Sequence, residues 1–132
     1  RCDTVLKNYE DLDDRLKSDE YVPPDGVILP ATEYELLEGD TVFSVLSRAV
    51  REKKIQMEYQ GADGNSYKTV YIQGIHHLYE FSCGSLSGWM YRVNGEFPNK
   101  GCSDYELKDG DVIEWVYTCD LGRDIGCEVG GT

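Results

Sequence analysis

Asp40-Thr41-Val42-Phe43-Ser44-Val45-Leu46-Ser47-Arg48-Ala49-Val50-Arg51-Glu52-Lys53-Lys54-Ile55-Gln56-Met57-Glu58-Tyr59 changes its hydrophobic period once, and that change decides the fold. Val42, Val45, Leu46, Ala49 and Val50 recur at the spacing of one helix face. Thr41 or Asp40 supplies the N-cap. Arg48, Arg51, Lys53 and Lys54 crowd the end where a helix dipole favours cations. Beyond them Ile55, Met57 and Tyr59 alternate with polar residues, which is the period of a strand.

Working outward, Thr32, Tyr34 and Leu36 alternate with polar neighbours before a Glu38-Gly39-Asp40 turn, so a strand is expected ahead of the helix. On the far side, Gly61 to Asn65, with its Asp63-Gly64 step, reads as a hairpin loop, and Thr69-Val70-Tyr71-Ile72 as the returning strand. Trp89, Tyr91 and Val93 alternate with Met90 and Arg92 and run straight into Asn94-Gly95, a pair suited to a type I′ turn. A turn over Leu107 to Asp111 and a strand over Val112 to Tyr117 complete the pattern. This layout predicts an α+β domain, a β-grasp-like mixed sheet with one main helix packed across it. At the N-terminus, Thr4-Val5-Leu6 reads as a strand end, and Asn8 as the cap of a short helix with the stripe Tyr9, Leu12 and Leu16. Pro23-Pro24-Asp25-Gly26 is a turn, and Val27-Ile28-Leu29 an edge strand or a packed connector. The expected organisation is one domain over 1–132: an N-terminal segment 1–30, a core 31–117, and a Gly-rich tail 118–132.

The 132 residues carry a formal net charge of −12, which argues against nucleic acid and anionic membrane surfaces as partners, because both demand a basic footprint. No apolar run approaches the about 20 residues of a membrane span. Ten tyrosines against three phenylalanines suit half-wet strand positions. The five cysteines, Cys2, Cys83, Cys102, Cys119 and Cys127, lack the paired spacing of a zinc knuckle, so disulfides and an extracellular or cell-surface location are expected, with a secretion signal upstream. Cys83 and Cys102 bracket the Trp89 to Phe97 hairpin, making Cys83–Cys102 the first expected bridge. Cys2–Cys119 is the second, closing a loop worth roughly 4 kcal/mol in a chain-entropy account. The odd count leaves Cys127 as a thiol whose partner lies elsewhere or as a reactive one, and suggests other domains of a longer chain.

Catalytic and metal chemistry find little footing. His76 and His77 are neighbours, and as strand residues would point to opposite faces. Asp109, Asp111, Asp120 and Asp124 lack EF-hand spacing. No Gly-flanked serine elbow or phosphate loop is present, while a paired-carboxylate arrangement is unreadable from sequence. The expectation is therefore no enzyme, no catalytic residue, no metal and no cofactor. A rigid hairpin bearing Trp89, Tyr91 and Phe97 with the amides of Asn94 and Asn99 supports a binding face for a macrocycle, a sugar or a peptide. The same alternation is equally what a core-facing strand produces.

The stretch Gly88-Trp89-Met90-Tyr91-Arg92-Val93-Asn94-Gly95-Glu96-Phe97-Pro98-Asn99-Lys100-Gly101, with Ser103 to Trp115 after it, resembles the transcobalamin-type C-terminal domain family, the likeness running from about Ala31 to Tyr117. The resemblance implies a β-grasp-like fold and membership among bacterial cell-surface relatives of the small domain of cobalamin carriers, of a Gram-positive type. By similarity Trp89, with Tyr91 on the same face, would contact ligand, while Gly101, Tyr105, Gly110 and Glu114 would be framework. Unlike in the carriers, no helical-barrel partner domain is expected within these 132 residues. The expected function is an extracellular ligand-binding module with a corrinoid as the specific candidate. The alternative is an adhesion or spacer unit of a larger surface protein, contacting protein or glycan.

Overall fold

The computed structural model describes residues 1–61 and 69–127. The Asp63-Gly64 loop and the last five residues of the tail lie outside the described residues. Helix α1 (Asp3–Lys7) and two single 3-10 turns, Tyr9–Asp11 and Asp14–Leu16, precede the main helix α2 (Val42–Glu52). Strands β1 (Met57–Gln60), β2 (Tyr71–Ile75), β3 (Leu78–Tyr79), β4 (Gly88–Val93) and β5 (Ile113–Thr118) follow. The α+β class holds. Among the described residues, however, the strands form two antiparallel sheets, β1-β2-β3 and β4-β5, in place of one mixed sheet.

Helix α2 forms where its period placed it, and Thr41 and Ser44 close a reciprocal capping box at its start. Its buried stripe, Val42, Leu46, Ala49 and Val50, lies one turn apart on one face. Val42, Leu46 and Val50 form one cluster with Ile72 and Ile75 of β2, Val93 of β4, Cys102 and Leu107, so the helix seals both sheets. Gly101 beside this cluster has no room for a side chain, since an added Cβ would meet Thr69 Oγ1 at 2.0 Å.

A second cluster gathers Cys2, Val5, Leu12, Val22, Leu78, Cys83 and Tyr117. Thr4-Val5-Leu6 is thus helical, not a strand end. Thr4 Oγ1 donates to the Tyr117 carbonyl at 2.5 Å while Val5 turns into the cluster. Asn8 Nδ2 donates back to the Thr4 carbonyl at 2.9 Å, closing α1 instead of capping a following helix. Tyr117 N–H donates to the Arg1 carbonyl at 2.9 Å, laying the first residue along the β5 edge. Val27-Ile28-Leu29 is a connector, with Ile28 packed on the second cluster.

The strand expected over Thr32, Tyr34 and Leu36 does not form. Arg48 Nη2 reaches from α2 to the Glu35 carbonyl at 3.2 Å, and Asp40 takes the Leu37 N–H at 2.8 Å, so side chains satisfy this backbone. Asp40 is buried and also accepts from Ser44 Oγ at 2.9 Å and from both terminal nitrogens of Arg48 at 2.8 Å. The Arg48 guanidinium, aided by the other donors, holds its carboxyl well below the usual carboxylate range.

Asp40→Ala is expected to cost about 2 kcal/mol, because it strands Arg48 and frees the 35–40 segment; urea denaturation measures this. A carboxyl whose native pKa is depressed stabilises fully above its unfolded value, near pH 4, and loses that contribution as pH falls toward the native value. Asp40→Asn should therefore flatten the acid limb of a stability profile taken from pH 6 to pH 2 and leave its neutral shape unchanged.

Candidate functional site

Cross-strand pairing puts Trp89 opposite Tyr117, Tyr91 opposite Trp115 and Val93 opposite Ile113, so these six side chains share one face of the β4-β5 sheet. That face is turned inward. Trp89 packs against both clusters, donates Nε1–H to the Leu78 carbonyl at 2.8 Å and meets the Tyr117 ring edge-on at 5.2 Å. Tyr91 donates its hydroxyl to the Lys100 carbonyl at 2.5 Å, and burial pushes its phenol up to about 12. Both rings are half-buried, and each spends its polar atom within the fold.

The other three expected contacts sit on the turn and loop that follow β4. Asn94 (φ 53°) and Gly95 (φ 83°) make the anticipated turn, and the Asn94 amide is spent within it: Nδ2 donates to Asp111 Oδ1 at 3.0 Å and Oδ1 accepts the Val112 N–H at 2.9 Å. Phe97 sits beneath the Arg92 guanidinium at 6.0 Å, and Asn99 is exposed. Arg92 in turn makes a two-pronged pair with Glu114, at 3.0 and 2.8 Å, which lowers the Glu114 pKa. A cavity of about 180 Å³ on this side is lined by Arg1, Asp3, Thr4, Lys7, Arg92, Val116, Tyr117, Asp124 and Ile125.

A wider cleft, about 360 Å³, opens where the β2–β3 turn meets the N-terminal segment, lined by Asp13, Arg15, Leu16, Tyr21, His77, Tyr79 and Ser82. Its floor is built on backbone strain. His76 (φ 53°) and His77 (φ 65°) fill both central positions of the turn, in the left-handed region usually left to Asn and Gly. Gln56 holds them there: its carbonyl accepts the His76 N–H and its Oε1 the His77 N–H, each at 2.7 Å. The two histidines are thus turn residues, not strand residues, and His76 Nε2 lies 2.7 Å from the Glu20 carbonyl. His77 presents its ring edge-on to Tyr21 at 5.3 Å. Tyr79 lies flat over Gly74, where a Cβ would come within 2.5 Å of its ring, and its hydroxyl is held by Glu58 and Gln56 at 2.6 Å. Asp13 and Arg15 form a two-pronged pair at the rim. Three fixed rings beside a hydroxyl, a carboxylate and a guanidinium suit a planar or polyhydroxylated ligand. Sequence reading missed this cleft. Its one local signal is Ile75-His76-His77-Leu78, two polar residues between apolar strand ends.

Carboxylates considered for cations serve the chain itself. Asp124 accepts the Cys119 N–H at 2.8 Å and the Thr118 hydroxyl, Asp120 pairs with Arg123, and Asp111 accepts the Lys108 N–H. Among the described residues no three His, Cys, Asp or Glu side chains converge for a metal. Cys83 and Cys102, the pair expected to clamp the hairpin, pack in different clusters, the second and the first. Cys2 shares the second cluster with Cys119, whose sulfur lies 3.8 Å from Thr4 Oγ1, and with Cys83.

The fold defines a small α+β domain of two antiparallel sheets under one helix. The chain belongs to the family described as a domain of unknown function, DUF4430, whose profile matches residues 39–119. No curated protein matches this sequence. The matched region supplies α2, all five strands and one wall of the cleft, His77, Tyr79 and Ser82. The opposite wall, Asp13 to Tyr21, precedes it.

Because Trp89 packs against both clusters, Trp89→Ala is expected to destabilise the fold by about 3 kcal/mol, read from urea midpoints. Trp89→Phe, which keeps the ring contact and loses the Leu78 hydrogen bond, should cost about 1 kcal/mol.

Proposed function

We propose that this domain is an extracellular, non-catalytic ligand-binding module whose ligand seats in the Tyr21–His77–Tyr79 cleft. The observation that carries the reading is the His76-His77 turn: left-handed backbone at two bulky residues is costly, and here Gln56 maintains it while His77 is aimed into the cleft wall. At about 360 Å³ the cleft lies at the small end of ligand pockets. It fits a sugar ring or the edge of a larger planar molecule. The likeness of Gly88 to Trp115 to transcobalamin-type C-terminal domains makes a corrinoid the specific candidate, one that would rest on the cleft by its edge and be enclosed by a further domain. The Trp89 face plays no part in this reading.

Exposed apolar side chains favour a second reading, an adhesion unit contacting protein or glycan. Phe81 is 63% exposed, Leu121 46% and Leu86 38%, and their loops adjoin, with Leu121 N–H bonded to the Leu86 carbonyl and Phe81 N–H to that of Ser87.

The test is a titration of the chain with cobalamin and cobinamide, following corrinoid absorbance and the thermal midpoint, beside His77→Asn and Tyr21→Ala. Asn tolerates left-handed backbone, so His77→Asn should keep its midpoint while losing the ring. A saturable shift abolished in both variants supports the corrinoid. No shift at millimolar ligand, together with saturable retention on purified cell-wall glycan that Tyr21→Ala abolishes, moves the cleft to a glycan. Retention by neither removes it as a stand-alone site.

A further inference from the structure

Cys83 and Cys119 stand 36 positions apart in sequence, and the fold packs both into the second cluster. Both rest on α1 and its end: Cys83 Sγ lies 3.4 Å from the Asn8 carbonyl, and Cys119 Sγ 3.8 Å from the Thr4 hydroxyl. Thr4 and Asn8 are one helical turn apart and are themselves joined by a hydrogen bond. Burial raises both thiols between these supports, and each acts on the other's ionisation, Cys119 adding to the rise at Cys83 and Cys83 opposing it at Cys119. Both side chains pack in the second cluster, and Cys83 is only 2% exposed. The remaining cysteines have other surroundings. Cys102 donates to the Val70 carbonyl inside the first cluster, and Cys127 backs onto Gly122. Cys2 is wholly buried, its thiol raised to about 11 by burial.

We propose that Cys83 and Cys119 close a disulfide in the native protein. The oxidant is a disulfide, either that of a thiol–disulfide oxidoreductase or glutathione disulfide. One cysteine thiolate attacks it, forming a mixed disulfide and releasing one sulfur as a thiol. The second thiolate attacks the mixed disulfide at the protein's sulfur and releases the other. The two cysteines give up two electrons and two protons, which leave on the oxidant's two thiols. The bond ties the loop that bears Phe81 and Leu86 to the end of β5 and the loop that bears Leu121. It pins the N-terminal segment that lines the cleft only indirectly, through α1, and does not depend on what the cleft binds.

The whole chain is folded in a glutathione redox buffer, alkylated, digested with trypsin and analysed by mass spectrometry. Cleavage at Lys68, Arg92, Lys100, Lys108 and Arg123 leaves Cys83, Cys102 and Cys119 on separate peptides, 69–92, 101–108 and 109–123. The expected result is peptides 69–92 and 109–123 joined, two hydrogens lighter than their sum and separated by dithiothreitol, with Cys102 alkylated only after denaturation. Dithiothreitol should lower the thermal midpoint of the parent by on the order of 10 °C. It should not lower that of Cys83→Ser or Cys119→Ser. Alkylation of Cys83 and Cys119 as separate thiols in the oxidised, folded chain overturns the proposal, as does either of them joined to Cys2, Cys102 or Cys127. The peptide result stands on the parent chain alone, whether or not the serine variants fold.

Discussion

The indole of Trp89 is where the two halves of this interior meet. One side of the ring packs with the residues that α2 covers, the other with those gathered by α1 and β3, and its N–H is spent on the Leu78 carbonyl of the other sheet. Two small sheets, one of two strands, would each be marginal alone. A large ring shared between their cores gives each a hydrophobic wall it could not build from its own residues. The edge contact with Tyr117 then fixes β5 relative to β4 on the side where the N-terminal segment docks. A feature that looks like a ligand platform on one strand is thereby the seam of the molecule.

The cleft follows from that docking. With the seam in place, β3 projects from β2 through a tight turn, and the chain from Asp13 to Tyr21 passes in front of it, anchored by Asp13 N–H on the Ser82 carbonyl at 2.8 Å. Tyr79 is flattened onto Gly74 and its hydroxyl tied to Glu58, so one wall is rigid. The other wall comes from a segment without long helices or strands, positioned by Leu12, Leu16 and Val22 in the second cluster. One wall thus lies within the matched family region and the other outside it.

Elements governed by short-range pattern were legible before the structure. Helix α2 and strands β1, β4 and β5 announce themselves through period, caps and the Asn94-Gly95 turn, each a matter of a few adjacent residues. The N-terminal segment was not legible, because Val5, Leu12, Leu16 and Val22 follow the contour of a cluster and not a repeat. The stretch 31–37 has strand alternation, yet Arg48 and Asp40 satisfy its backbone from a distance that sequence does not encode. Alternation at Trp89, Tyr91 and Val93 correctly states that they share a face and is silent on which face points inward. The cleft and the Cys83–Cys119 contact lie beyond local reading altogether, since each joins segments that meet only after the chain has folded.

The bond from Tyr117 N–H to the Arg1 carbonyl bears on how the domain behaves among copies of itself. A two-stranded sheet offers open backbone donors and acceptors along its flanks, and an open flank is a template on which a neighbouring chain can add a strand. Here the first residue occupies part of the β5 flank, and the Thr4 hydroxyl takes the Tyr117 carbonyl beside it. The opening residues therefore act as a built-in stopper against edge-to-edge polymerisation. A further strand can add along that stretch of β5 only if these residues leave it.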